Sequence, residues 1–404
     1  MTPSRDARLL VVSRGVRGFV DGAVAVALSA YLTLLGWSGL RIGVLVTGML
    51  LGSAALTLLV GVRLGRVPRR TVLQWGAVTM ILSGLVFAST TMFAVLVVVG
   101  VLGTMNPTSG DVSVFSPVEQ SLVPAAVAAV DRTAMFTRYV FTGTLAAAVG
   151  SLSVAVPEWV ADRTDISDET ALRWVFLAYA AAGVLVFVVF RRLSEAVEPS
   201  RAEPPTPLGP SRKVVHRLAL VFSIDSFGGG FVVQSLLALW LFRRFDLSAG
   251  AAGALLFWMG VCSAGSMFAS PILARQIGLV RTMAFTHMPA QVLLILAAFA
   301  PSLPIAIALL SGRSLLAAMD VPARNSYVMA IVTPAERAAA ASVTQVPRSL
   351  AAAASPLLAG WLLDQSDFGW PLVIAGVLKL VYDVTLLTMF RHVRPPEEQA
   401  AFGR

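Results

Sequence analysis

The chain holds one cysteine, Cys262, only two lysines, Lys213 and Lys379, and three histidines. A lone thiol excludes an internal disulfide and a thiolate zinc site, and three scattered histidines make no ligand cluster. Charge is scarce too. Charged residues are 13% of the 404 and apolar residues 57%, against about 25% and about 45–50% in an average soluble domain. That balance excludes an ordinary cytosolic enzyme and a disordered chain. A net charge of +9 spread so thinly leaves no basic face for phosphates, so no nucleic-acid partner is expected. No phosphate loop or catalytic triad is present in the sequence. The chain is therefore read as neither an ATPase nor an enzyme, and as needing no cofactor and no metal.

What the sequence has instead is apolar runs. A membrane-spanning helix needs about 20 mostly apolar residues. Such stretches recur at 9–35, 39–62, 71–90, 93–122, 133–156, 171–190, 214–241, 247–273, 280–299, 303–331, 337–362 and 370–390. These predict an all-α membrane protein of twelve transmembrane helices. The first run carries Arg14, Arg17 and Asp21 and no small-residue cleavage site, so it reads as a retained helix. With the N-terminus inside, inner segments hold 19 basic residues and outer loops 5. The positive-inside rule then places both termini in the cytoplasm. The expected location is the cytoplasmic (inner) membrane.

The segment 191–213 interrupts the apolar pattern with Pro199, Pro204, Pro205, Pro207 and Pro210. It reads as a cytoplasmic linker between an N-terminal six-helix bundle, 1–190, and a C-terminal one, 214–404. The halves echo each other. Phe19 and Gly22 match Phe227 and Gly230 at an offset of 208, Asp111-Val112 matches Asp320-Val321 at 209, and Asp131-Arg132 matches Glu336-Arg337 at 205. A common order and a near-constant offset point to duplication, and so to two pseudo-symmetric bundles rocking about a site at their interface.

The loop after the second run, Gly61-Val-Arg-Leu-Gly-Arg-Val-Pro-Arg-Arg70, is similar to a motif of the major facilitator superfamily, Gly-x-Leu-Ala-Asp-Arg-x-Gly-Arg-Arg. Gly61, Arg66, Arg69 and Arg70 match it; Gly65 stands where the family has Asp, and Pro68 where it has Gly. The stretch Ser355-Pro-Leu-Leu-Ala-Gly-Trp361 also resembles this family, whereas the Gly-Pro signature of drug antiporters is missing from the fifth run. The resemblance covers nearly the whole chain. It implies a secondary transporter, a monomer by family default, in which Gly61, Arg66, Arg69 and Arg70 form a conformational loop. In the family the missing Asp clamps a helix of the other half, so the latch is altered here.

Eleven charged residues lie inside the spans expected to line or flank a cavity: Arg14, Arg17, Asp21, Asp111, Glu119, Arg138, Asp225, Arg313, Asp320, Arg324 and Arg348. Insertion costs roughly 2.5–3.5 kcal/mol for each at a helix centre, so they must face water or one another. Nine of them fall on helices 1, 4, 7 and 10, which line the central cavity in the resembling family. Arg14, Arg17 and Asp21 share one stripe of helix 1. Asp320 and Arg324 are an i,i+4 acid-to-base pair. In helix 4, Asn106-Pro-Thr-Ser-Gly-Asp111 predicts a break beside a carboxylate, either a binding-site kink or a packing kink with Asp111 as a cap. Glu119 lies further towards the cytoplasm as a candidate gate. Lys379 and Asp383, i,i+4 on helix 12, are expected to neutralise each other, and His287 and His216 to be structural or interfacial.

These residues give the functional expectation. Asp21, Asp111, Asp225 and Asp320 are the candidate proton-coupling sites. Arg17, Arg313, Arg324 and Arg348 would tune them or hold an anionic group. The favoured activity is proton-coupled efflux of a small molecule by alternating access, the protein working as an antiporter. The alternative is uptake or exchange of a small organic or inorganic anion. Static interior salt bridges are the competing account of the same charges.

Overall fold

A computed structural model of the chain describes residues 4–63, 67–108, 114–127, 132–195, 208–333, 336–391 and 393. Among them there is no strand. The helices are α1 (Arg5–Leu34), α2 (Gly39–Arg63), α3 (Arg69–Ser89), α4 (Phe93–Leu102), α5 (Phe115–Ala126), α6 (Arg132–Ser153), α7 (Ala155–Ala161), α8 (Asp168–Arg191), α9 (Arg212–Gly230), α10 (Gln234–Phe245), α11 (Ala249–Ser266), α12 (Ser270–Ile277), α13 (Leu279–Ala298), α14 (Leu303–Ala317), α15 (Asp320–Ala330), α16 (Arg337–Gln365) and α17 (Trp370–Phe390).

Every predicted apolar run contains helix. Among the described residues, ten helical stretches are long and apolar enough to cross a membrane; the charged α1 and the interrupted α4–α5 run lie outside that set. Large apolar side chains cover the outer faces: Leu220 is 69% exposed, Trp75 63% and Ile272 61%. Water would not tolerate so continuous an apolar surface, whereas hydrocarbon does. Chain signals set the ends. Ser4 accepts the Ala7 N–H at 3.1 Å at the start of α1, and Ser167 accepts the Thr170 N–H at 3.3 Å ahead of Asp168 and Glu169 in α8.

The predicted break in the fourth run is present. α4 stops at Leu102 and α5 starts at Phe115, with Asn106 Oδ1 accepting from the Thr108 N–H at 3.0 Å in a local turn. Four further breaks lie inside continuous apolar runs, at 154, 231–233, 267–269 and 318–319.

The chain divides by contact into two compact units. The first is Met1–Ala202 with Val233–Gly260; the second is Glu203–Val232 with Val261–Arg404. In the first, α1 packs most extensively against α6. Lipid supplies no hydrophobic drive between helices, so small residues and close backbone approach hold them. A Cβ built at Gly22 would lie 1.9 Å from the Ala147 carbonyl oxygen, and one at Gly150 would lie 1.8 Å from that of Phe19. Only glycine fits either place. A separate apolar cluster joins α1, α3, α5, α6 and α8 through Leu10, Leu73, Phe115, Met135 and Phe190. The second unit has its own cluster around Phe222, Met283, Tyr327, Tyr382 and Leu386, and α9 packs there mainly on α16.

Candidate functional site

In the first unit the mid-span charges converge on Glu119, which is fully buried on α5. The stripe read from helix 1 aims inward: Arg14, Arg17 and Asp21 are all buried. Arg17 Nη2 donates to Glu119 Oε2, and Tyr139 on α6 donates its hydroxyl to the same oxygen. Ser13 Oγ donates to Oε1 at 2.5 Å. The guanidinium of Arg17 also lies over the Phe115 ring, 4.5 Å from its centroid. Arg14 lies over Tyr139 at 5.7 Å. Glu119 thus has a charge partner and two hydroxyl donors, which is what a carboxylate needs to remain buried.

The second unit carries a larger assembly centred on Asp225 of α9. Lys379 Nζ on α17 donates to Asp225 Oδ1 at 2.6 Å. Arg324 Nη1 on α15 donates to Asp225 Oδ2 and to Asp320 Oδ2, each at 3.1 Å. The predicted Asp320–Arg324 pair is therefore formed, with Asp225 as a third member. His287 on α13 sets Nδ1 2.9 Å from Asp383 Oδ1 on α17, and its Nε2 faces Asp225 Oδ1 at 3.9 Å. All six side chains are buried. Arg348 donates through Nε to Ser226 Oγ at 3.1 Å. Arg324 and Arg348 each stand 5.8 Å from the centroid of Phe222. Neither Arg313 nor Arg348 makes an ion pair among the described residues.

One expectation is corrected. Lys379 and Asp383 do not neutralise each other; Lys379 reaches α9 and Asp383 reaches His287. His287, read as structural or interfacial, is buried between two carboxylates. Spacing places Lys379 and Asp383 on one face of α17, and it cannot say that two other helices arrive there with better-matched partners. The one available signal was a lysine and an acid in a span otherwise free of charge.

One register of the repeat reverses the sign of the bridge. α5 and α15 open 205 residues apart, four fewer than the 209 that matches Asp111 to Asp320, and Pro117/Pro322 and Ser121/Ser326 keep the 205 spacing. That spacing pairs Glu119 with Arg324. The 208-residue spacing of Phe19/Phe227 pairs Arg17 with Asp225. The bridge Arg17–Glu119 thus recurs as Asp225–Arg324 with its polarity exchanged.

Of the loop residues, Gly61 lies in the last turn of α2. Arg69 donates to the Ser121 carbonyl at 3.1 Å and Arg70 to the Arg191 carbonyl at 3.3 Å, tying α3 to α5 and α8. Asp111 and Arg66 lie outside the described residues. A cavity of about 420 Å³ in the first unit is lined by Thr33, Glu158, Asp162, Asp168, Arg243 and Asp246 at helix ends; it includes none of the mid-span charges. Outside the spans, Glu336 accepts from the Gly209 N–H, Ser211 Oγ and Thr333 Oγ1. These bonds, the Gly209 N–H first, hold its carboxyl down to about 2.

The sequence model of the Major Facilitator Superfamily matches residues 10–289 and again 218–403. The uncharacterized membrane protein YJR124C of Saccharomyces cerevisiae is 25% identical over 422 residues, covering 96% of this chain and 94% of that protein. Among solved structures, the nucleoside transporter NupG matches with a TM-score of 0.73 at 13% identity, over 96% of this chain and 100% of that one. The xylose transporter XylE from E. coli, in its inward-open conformation, matches at 0.73 and 14% identity, over 98% and 99%. The human organic anion transporter MFSD10 matches at 0.64 and 19% identity, over 94% and 99%. At these identities the structural matches establish the fold.

Proposed function

Because the chain belongs to the Major Facilitator Superfamily, we propose that it is a proton-coupled secondary transporter that exports a small molecule across the cytoplasmic membrane. Family and fold are those of multi-pass membrane transporters, not of enzymes. A membrane and a small-molecule substrate follow from that membership. In this reading both termini are cytoplasmic, the protein acts as a monomer, and 1–190 and 214–404 are the bundles that alternate access.

The observation that carries the coupling is the buried assembly at Asp225. Carboxylates cost too much to bury unless a cation or a proton neutralises them. Asp225 and Asp320 share one guanidinium, Arg324. Binding a proton at this assembly changes which partner is needed, and so changes which helix is held. Asp21, Asp111 and Arg17 serve the corresponding face of the first repeat. Arg313 and Arg348 are left for the substrate.

That surplus supports a second reading, uptake or exchange of a small anion. The assembly presents Arg313, Arg324, Arg348 and Lys379 against Asp225, Asp320 and Asp383, four cations to three acids before His287 is counted. Two guanidiniums without acidic partners suit a carboxylate or phosphate.

The test is growth of an efflux-deficient bacterium expressing the chain, on a panel of drugs, metalloids and organic acids. Resistance to a compound, lost in Asp225→Asn and Asp320→Asn at matched expression, is the expected result. Resistance kept by both variants overturns the coupling assignment. Sensitisation to a toxic anion, lost in Arg348→Gln, turns the reading to uptake.

A further inference from the structure

Asp225 Oδ1 faces two nitrogen bases at once. Lys379 Nζ holds it at 2.6 Å, and His287 Nε2 stands off at 3.9 Å. The stand-off has a chemical reason. Asp383 offers oxygens at 2.9 and 3.0 Å to His287 Nδ1, and a carboxylate only accepts, so Nδ1 carries the proton. In the neutral ring Nε2 then presents a lone pair to the Asp225 oxygen. Two acceptors do not bond, and the gap stays open. Adding one proton at Nε2 turns that contact into an N–H donor facing a carboxylate oxygen 3.9 Å away.

We infer that His287 is a proton-binding site, and that its protonation exchanges Lys379 for His287 as the partner of Asp225 Oδ1. This deepens the proton-coupled reading above and rests on it. The step balances simply. A proton from water joins the Nε2 lone pair, the imidazolium donates Nδ1–H to Asp383 and Nε2–H to Asp225, and Lys379 loses part of its hold on α9. Release of the proton reverses each change. Asp225 Oδ2 stays with Arg324, which spans to Asp320, so the exchange acts on α17 and leaves α15 anchored.

The surroundings of the ring are fixed. α9 contributes Asp225, α15 contributes Asp320 and Arg324, and α17 contributes Lys379, Tyr382 and Asp383. The Tyr382 ring meets the imidazole edge-on, with centroids 5.8 Å apart. Arg313 on α14 and Arg348 on α16 act on Asp225 through space. The first repeat supplies the contrast. Its bridge, Arg17–Glu119, is joined by the hydroxyls of Ser13 and Tyr139, with no imidazole or lysine bonded to it among the described residues. The polarity-reversed copy at Asp225 is the one equipped to change partner.

The composition makes the test direct. With two lysines and three histidines in the whole chain, selective ¹⁵N labelling reads Lys379 and His287 in the full-length protein in lipid nanodiscs. His216→Gln and His392→Gln assign the ring signal, and Lys213→Arg assigns the amine. The pH is stepped from 8 to 5; as the His287 nitrogens pass from neutral to imidazolium, the Lys379 resonance should move with them. In His287→Gln the Lys379 resonance should stay flat over that range, while a matched thermal melt reports that the fold is kept. A Lys379 signal that is flat in the wild type, or that moves equally in His287→Gln, overturns the inference. If His287→Gln fails to fold, Asp383→Asn takes its place: weakened coupling between the two signals supports the exchange, and coupling unchanged from the wild type overturns it. The broader reading fails separately, through growth phenotypes indifferent to external pH. Coupled signals with such growth would keep the proton site and remove its role in transport.

Discussion

Arg17 and Glu119 are 1% and 0% exposed and form an ion pair. Removing one member of such a pair costs about 3–5 kcal/mol, because the survivor stays buried with that opposite charge gone. The survivors are not equivalent. In Glu119→Gln the guanidinium of Arg17 remains, and a guanidinium cannot shed its proton. In Arg17→Met the carboxyl remains, with Ser13 and Tyr139 still bonded to it, and it can be neutralised by a proton from solvent. Glu119→Gln should therefore be the costlier change and Arg17→Met the milder one. The double variant should cost less than the two singles together, with a coupling of at least about 2 kcal/mol. Equilibrium unfolding in mixed micelles, followed by tryptophan fluorescence, measures all three. A coupling below about 0.5 kcal/mol, or equal costs in the two singles, would refute the account.

Other predictions follow from the same geometry. Gly150→Ala should cost several kcal/mol in the same assay or abolish folding, since its Cβ would meet the Phe19 carbonyl at 1.8 Å; Gly265→Ala, with nothing within 4 Å, should be neutral or gain about 1 kcal/mol of helix propensity. Glu336 is held down to about 2 by its three donors, so its contribution to stability should be whole above pH 4.5 and vanish as pH falls towards 2. Thermal melts of Glu336→Gln should lack that slope. Lys379→Met should mimic release of α17, raising hydrogen exchange along Trp370–Phe390 while leaving Arg5–Leu34 unchanged.

The sequence carried much of this. Apolar length alone placed all twelve runs, and Asn106-Pro107 announced the break between α4 and α5. Mid-span charge picked out Arg17, Glu119, Asp225, Asp320 and Arg324, because a charge in hydrocarbon is too costly to be incidental. Spacing joined Asp320 to Arg324, since both ride on one helix. It could not join Asp225 to Lys379, 154 residues away, or His287 to Asp383, 96 away. Periodicity fixes a residue's angle about its own axis and says nothing of which helix faces it. The breaks at 231–233, 267–269 and 318–319 were illegible for a related reason. A kink in an apolar run leaves composition unchanged, and its backbone groups are satisfied by neighbours that only the fold supplies.

The contact between α1 and α6 has a mechanical consequence. Each residue along a helix advances it by about 1.5 Å, and the carbonyls of Ala147 and Phe19 already occupy the hollows left by Gly22 and Gly150. A slide of one residue's rise would carry each hollow off the oxygen it now receives. The seam is a ratchet with its pawl down: it passes torque from one helix to the other and permits no slip. Whatever deformation accompanies turnover must therefore bypass this joint and be taken up where the helices are already interrupted.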